Sequence, residues 1–421
     1  MTTTPHEMEP LFPDFAPLRG RAERVVADAA NLGRHLHPAT LDAVAELLRT
    51  INCYYSNLIE GHDTHPIEIE RAMRSELSNA VGLRDLQIEA RAHIEVQRLI
   101  ERRLDAAPTE NVCAPAFLRW IHREFYVRLP HEMRLVRHPT EPMERLVMPG
   151  ELRDHGVRVG DHVAPLPAEL PALLERFAAA YDPASCTNGA DRALANLGAA
   201  HHRLLWIHPF GDGNGRVARL MTDAYLRRIG IGGHGLWTVS RGLARARSRY
   251  REALANADGP RWNDLDGRGA LSLRALDRFC EFFLDVCGDQ ISYMSGLLAV
   301  DGLLGRVSQY GRLREQGIGA PERSARAAGD GPRARSARGR KPVPWKPEGT
   351  RLLRAIVAEG PLARADARSI IGLPDRTARR LVAQLTADGF LTAESHRSSL
   401  AVRFPAHAVP YLFPGLYDGG E

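Results

Sequence analysis

The chain runs to 421 residues, 44% apolar and 25% charged, with a formal net charge of +5. That length suggests two or three domains, and the balance excludes a disordered or fibrous chain and a strongly basic nucleic-acid coat. No apolar run reaches the length of a membrane span, so no membrane partner is expected.

Five cysteines (Cys53, Cys113, Cys186, Cys280 and Cys287) are odd in number and lack CxxC spacing. They read as reduced, mostly buried thiols, not as a disulfide frame or zinc site. The stretch Met1 to Phe15 has no basic region followed by an apolar one, so the expected location is cytoplasmic.

In chain order, Leu41, Val44, Ala45, Leu47, Leu48 and Ile51 recur at helical spacing, with Thr40 as the expected cap. Further helices are expected over Ile88 to Ile100, Phe117 to Phe125, Leu194 to Trp206, Val217 to Leu226 and Leu276 to Val286. Between them, Leu146 to Met148, the turn Pro149-Gly150, and Glu151 to Gly160 alternate around turn residues, a β-hairpin signal in a helical protein.

From Gly317 to Pro347 large apolar residues nearly vanish, and Arg306 to Lys341 carries nine Arg and one Lys against three acids. Such a stretch buries too little surface to offset its ordering entropy and reads as a flexible, solvated linker. Beyond it, helices are expected near Leu352 to Ala358, Ala363 to Ile371 and Asp375 to Ala387, the last with Asp375 as N-cap. Strands follow over Phe390 to Ala393 and Ser399 to Phe404. Helix, turn, helix and ribbon are the parts of a winged helix-turn-helix.

The chemistry concentrates in His208-Pro209-Phe210-Gly211-Asp212-Gly213-Asn214-Gly215-Arg216-Val217-Ala218-Arg219. The glycines bare the backbone, and the amides opening the next helix form an anion site. Arg216 and Arg219, three apart, project from one helix face and suit phosphate oxygens. Asp212 offers a hard oxygen for Mg²⁺, and His208 a base near neutral pH. Each residue alone has a structural explanation; the combination within twelve residues points to phosphate chemistry, and the Walker pattern is absent.

This segment resembles the signature of the Fic family, H-x-F-x-D/E-G-N-G-R-x-x-R, at every specified position. The resemblance extends to Ala200-His201, Ile207, Ser240-Arg241 and Tyr250, and residues 40 to 300 are similar to a Fic core with flanking helices. It implies a mainly α fold: a Fic helical core with a β-hairpin flap, plus a C-terminal winged helix-turn-helix. The corresponding boundaries are 1–110 for an N-terminal helical region, 111–300 for the core, 301–347 for a basic helix end and flexible linker, and 348–421 for the last domain.

The resemblance further implies a protein adenylyltransferase that moves AMP from ATP to a Ser, Thr or Tyr hydroxyl of a target protein, itself included. His208 would be the general base, Asp212 would hold Mg²⁺, and Phe210 would anchor the loop. Gly213, Asn214 and Gly215 would cradle the phosphates. Arg216 would reach the β-phosphate region and Arg219 the γ-phosphate, with Tyr250 as a candidate adenine contact. A flap over 152–160, with Leu152, Arg153, Val157 and Val159, would dock the target as an added strand.

Upstream, Ser56-Asn57-Leu58-Ile59-Glu60-Gly61 is similar to the family's inhibitory pattern S/T-x-x-x-E-G/N. It implies a brake in which Ser56, Glu60 and Gly61 bring a carboxylate to Arg219. In the C-terminal module, Arg376, Arg379 and Arg380 on the second helix, with Arg397 on the wing, would meet DNA; protein docking or homodimerisation is an equal use of that module. Two other functions stay open: removal of AMP from modified targets, and a DNA-binding regulator whose core senses nucleotide.

Overall fold

The computed structural model describes residues 5–137, 144–186, 188–321, 343–395 and 397–417. Two compact units emerge, one from Met1–Leu32 with Arg49–Tyr293, the other from Gly33–Leu48 with Met294–Glu421.

The first unit holds α1 (Phe15–Asn31), the later part of α2 (Pro38–Glu60), α3 (Pro66–Met73), α4 (Val81–Ala106), α5 (Pro115–Tyr126), α6 (Leu170–Tyr181), α7 (Ala190–Ile207), α8 (Asn214–Arg228), α9 (Val239–Arg245), α10 (Arg247–Ala257) and most of α11 (Leu273–Leu298). Helix α7 is buried nearly all round, as a helix at the centre of a bundle must be. It packs against α1, α6 and α8. Its small residues permit close approach: a side chain on Gly198 would stand 3.2 Å from Cys280 Sγ of α11.

Two short ribbons interrupt the helices. Strand β1 (Leu135–Arg137) pairs antiparallel with β2 (Glu144–Leu146), Val136 opposite Arg145. Strand β3 (Arg158–Val159) pairs with β4 (His162–Val163). The single hairpin expected across 146–160 is therefore replaced by two ribbons with an unpaired stretch between them. The physical reason lies at Arg153, whose backbone N–H donates to Pro209 O at 3.0 Å instead of to a neighbouring strand. The ribbon turns at Gly160, so the expected 152–160 flap holds only its first strand.

The second unit contains α12 (Val300–Glu315), α13 (Pro347–Glu359), α14 (Arg364–Ile371) and α15 (Asp375–Ala387), then β5 (Leu391–Thr392) paired with β6 (Ala401–Val402). Gly372, at φ 66°, ends α14 in the left-handed region that glycine tolerates. The helices, turn and ribbon thus follow in the expected order, with two local corrections. Asp375 is the first helical residue, preceded by Pro374 at the cap position. Thr40 lies inside the first turn of α2, where its hydroxyl donates to Val357 O at 3.0 Å; His37 Nδ1 instead accepts from Ala39 N.

The end of the expected linker does not behave as one. Most of it, 322–342, lies outside the described residues. Residues 343–347 pack: Trp345 is 3% exposed, and its indole N–H donates to Asp388, which also pairs with Arg314 at 2.8 Å. The buried Trp345 ring offsets the cost of ordering these five residues. Among the described residues no helix is long and apolar enough to cross a membrane.

Candidate active site

Helix α7 ends in a residue with strained geometry. His208 has φ 49° and ψ 61°, a left-handed conformation uncommon for a side-chain-bearing residue. Neighbours take up the final α7 carbonyls. Leu204 O accepts from His208 N and Leu205 O from His208 Nδ1, while Trp206 O faces His162 Nε2 at 2.8 Å. Arg153 completes the cap, donating to His208 O at 2.7 Å, His155 O at 2.8 Å, Pro165 O at 2.5 Å and Ile207 O at 3.4 Å. Arg153, expected on the docking edge, is 4% exposed and braces the loop instead.

The Leu205 carbonyl can only accept, so Nδ1 of His208 carries the proton and Nε2 is left as the basic nitrogen. His208 is half-buried. Burial, with the Arg153 and His162 charges nearby, lowers its pKa to about 4 against the pull of its backbone hydrogen bond. The ring is neutral at physiological pH, as a base must be.

The loop 209–213 is pinned from both sides. Phe210 is fully buried and stacks on His122 at 4.1 Å, which in turn stacks on Tyr126 at 4.3 Å. Asn214 bonds Phe210 twice, accepting from its N–H and donating to its carbonyl, both at 2.9 Å. Its side chain is thereby committed to the loop, not presented to a phosphate as expected. Gly213 stands at φ 80° at the start of α8, and a side chain there would come 2.8 Å from the Tyr126 ring.

Asp212 is 41% exposed at the loop mouth. Its Oδ2 accepts from Tyr126 Oη at 2.5 Å and from Arg216 Nη2 at 2.8 Å. Burial opposes ionisation, but Arg216 and the Tyr126 hydroxyl outweigh it and hold the carboxyl below its ordinary value. Arg216 is 7% exposed, with one arm on Asp212 and the other on Glu89 of α4, and its guanidinium lies over the Phe125 ring. Expected to reach phosphate, it is placed instead to orient Asp212.

Arg219 faces α2. Its Nε donates to Ser56 Oγ at 2.9 Å, and Nη2 to Ser56 O at 3.1 Å and Glu60 Oε1 at 2.5 Å. Two turns earlier on α2, Asn52 donates to Asp223 at 2.7 Å, fixing the register of the two helices. Burial would raise the Glu60 pKa, yet Arg219 and Arg216 bring it below the ordinary value. The Glu60 oxygen lies so near Gly215 that a Cβ there would collide with it. Tyr250 is buried, its hydroxyl 2.7 Å from His201 Nε2, so its ring is core and not a free surface for adenine.

Beside the loop, a cleft of about 290 Å³ runs past Gly211, with Val136, Met148, Leu152, Val157 and Arg158 among its lining. Val159 is 50% exposed. In the second unit Arg376, Arg379 and Arg380 are exposed, and Arg379 pairs with Asp375 at 2.8 Å. The sequence reading missed Tyr126, His122, Glu89 and the inward role of Arg153. His122 and Tyr126 sit four apart on one face of α5, a spacing with no meaning until the loop lies against it.

A Fic/DOC family model matches residues 114–226. Over 82 residues the chain is 42% identical to the protein adenylyltransferase Fic of Drosophila willistoni, covering 19% of this chain and 16% of that protein. The D. melanogaster protein of the same name is 40% identical over 81 residues, with the same two shares. The chain thus spans about a sixth of the length of the curated relatives it matches. Among solved structures it is similar to a Fic-domain signaling protein from Bacteroides thetaiotaomicron, with TM-score 0.50 and 18% identity over 65% of this chain and 95% of that one. C. elegans Fic-1 gives TM-score 0.50 and 18% identity over 67% and 72%. At these identities the likeness is one of fold.

Proposed function

The chain carries a Fic domain, and on that premise we propose that it is a protein adenylyltransferase held in check by its own Glu60. The observation that carries this reading is an anion already seated in the anion site. The Glu60 carboxylate lies against Arg219 and over Gly215, at the opening of α8, where helix amides and dipole favour negative charge. A terminal phosphate of ATP would take that place once Glu60 withdraws.

The residues fit the reaction. The target hydroxyl oxygen attacks the α-phosphorus as its proton passes to His208 Nε2. The bond to the bridging oxygen breaks, pyrophosphate departs, and AMP stays on the target. Backbone amides at Gly213 and Gly215 would hold phosphate oxygens, and Arg219 the γ-phosphate. Asp212, ionised and oriented by Tyr126 and Arg216, fits an ion that takes its other ligands from phosphates and water. Mg²⁺ held there would offset charge on the α- and β-phosphates. Preorganised donors of this kind supply much of the rate in such reactions. The target segment would lie along the cleft beside Gly211, near Val157 and Val159.

Glu60 competes with ATP for Arg219, which is the brake. The test is incubation with Mg-ATP labelled at the α-phosphate and, in parallel, with Mg-ATP labelled at the γ-phosphate. Glu60→Gly is expected to gain label on the protein, and His208→Ala in that background to lose it. Label entering only from the γ-phosphate would mean phosphoryl transfer instead. Nucleotide binding with no label from either would leave a sensor.

A further inference from the structure

Helix α2 closes in a defined way just past Glu60. Gly61, at φ 96°, donates to Leu58 O at 3.1 Å, and His62 N donates to Asn57 O at 2.9 Å. This paired closure fixes the chain reversal, so the His62 ring moves with the end of the helix. That ring meets Glu89 of α4: His62 Nδ1 lies 2.6 Å from Glu89 Oε2.

Glu89 is 2% exposed and divides its two oxygens between the Arg216 guanidinium and the His62 ring. Oε2 takes His62, and Oε1 takes Arg216, whose other arm holds Asp212 at 2.8 Å. A continuous chain of polar contacts therefore runs from the end of α2, through one buried carboxylate, to the catalytic loop. A carboxylate so buried is costly unless paired, and the His62 ring, 44% exposed, is open to solvent protons.

We propose that His62 and Glu89 form a protonation-controlled latch on the Glu60 brake. With His62 charged, the pair holds the end of α2, and with it the Glu60 carboxylate, against α8. With His62 neutral, the ring can still donate to the Glu89 carboxylate but the ion pair between them is lost, and Glu60 leaves Arg219 more readily. The proposal rests on the adenylyltransferase reading for the meaning of the brake, though not for the existence of the latch.

The charges acting on the ring are Glu89 from α4, Arg216 from α8 and Glu60 from α2. The hydrogen bond to Glu89 raises the His62 pKa; burial and Arg216 oppose it, and Glu60 adds to it. A raised pKa means that the proton favours the latched state. The latch is complete below the ordinary histidine pKa and is lost as pH rises through the raised one. Braking should be tighter in acid than in mild alkali.

Two measurements on the full chain decide this. The first is the ratio of self-labelling in Glu60→Gly to that in wild type, taken at about pH 6 and about pH 8.5. The chemistry is common to both proteins and cancels, leaving the brake. The ratio is expected to fall by roughly two- to fivefold on raising the pH, the range for a partly exposed ion pair, and to stay level when the same comparison is made in a His62→Gln background. Equal pH responses with and without His62 would overturn the proposal. The second is an NMR titration of the His62 ring, assigned by its loss in His62→Gln. Titration above about 6.5, the ordinary value, is expected; titration at or below it would remove the latch. Absence of labelling in Glu60→Gly would sink the adenylyltransferase reading instead, and the ring titration would still judge the latch.

Discussion

Glu60 and Arg219 stand 159 residues apart in sequence and 2.5 Å apart in space, carboxylate to guanidinium, at the opening of helix α8. Ser56, one turn before Glu60, takes a second donor of the same guanidinium at 2.9 Å. Arg219 is 3% exposed and Glu60 32%, so the pair is anchored on its cationic side and open on its anionic side. The mobile partner in any release is Glu60.

That asymmetry separates two variants. Ser56→Ala removes one hydrogen bond from Arg219 but leaves Glu60 in place; a bond of that kind is worth about 1 kcal/mol, or roughly fivefold in an equilibrium. Glu60→Gly removes the competing anion itself. Self-labelling is expected to rise modestly in Ser56→Ala and by tenfold or more, on the order of a charge-assisted bond, in Glu60→Gly. Gel autoradiography at fixed ATP measures both, and a larger rise in Ser56→Ala would reverse the proposed roles.

Much of this geometry was legible because the motif is local. His208, Asp212, Gly213 and Arg219 lie on one turn and one helix, and their spacing fixes their relation before any tertiary contact forms. What could not be read was the use of side chains that reach across the fold. Arg216 looked like a phosphate ligand because nothing in sequence announces Glu89, 127 residues earlier, as its partner. Arg153 looked like a flap residue because alternation is blind to a guanidinium turned inward on backbone carbonyls. Tyr250 could be an adenine platform or core by spacing alone, and burial against His201 decided for core. Tertiary contacts likewise cut the hairpin into two ribbons.

The buried histidines give the chain a pH response in acid. His93 and His201 are lowered to about 3, His122 and His208 to about 4, each chiefly by burial. An unfolded histidine takes its proton near 6.5. Below about pH 6.5 the unfolded chain therefore binds more protons than the folded one, and stability falls as acid is added. His62 acts in the opposite sense but is one ring against these four, with His202 and His65 also lowered. The midpoint of thermal unfolding is expected to drop by roughly 5 °C or more between about pH 7 and pH 5. A level midpoint across that range would show these rings to be protonated or solvated in the fold. Over pH 6 to 8, by contrast, the His208 base should contribute no pH dependence to labelling, since it is already deprotonated.

Tyr126 bears on Asp212, the carboxylate proposed to hold Mg²⁺. Its hydroxyl holds Asp212 Oδ2 at 2.5 Å while its ring closes the space beside Gly213. Tyr126→Phe keeps the ring and removes the hydroxyl. Loss of such an orienting partner commonly weakens a metal ligand by about tenfold or more. In a Glu60→Gly background the Mg²⁺ concentration giving half-maximal labelling is expected to rise by that factor, with calorimetric binding of Mg-ATP weakened in step. An unchanged Mg²⁺ requirement would detach Tyr126 from Asp212.

Arg153 supports the loop through backbone carbonyls alone, and its removal should separate stability and chemistry from nucleotide binding. His208 sits in a left-handed conformation that costs of order 1–3 kcal/mol unless the surroundings impose it, and Arg153 holds its carbonyl at 2.7 Å. Arg153→Ala leaves the carbonyls of His208, His155 and Pro165 without that donor, at an expected cost of roughly 3 kcal/mol. The ring then shifts from the line of attack, and a displacement of about 1 Å is worth about 10²-fold in rate. Arg219 and the α8 amides remain in place, so ATP affinity should change little. Arg153→Lys should recover part of the stability and little of the rate, because a point charge cannot serve carbonyls on separate segments at once. Labelling kinetics beside ATP binding in a Glu60→Gly background make the comparison: a full labelling rate in Arg153→Ala would mean that the loop holds His208 without it.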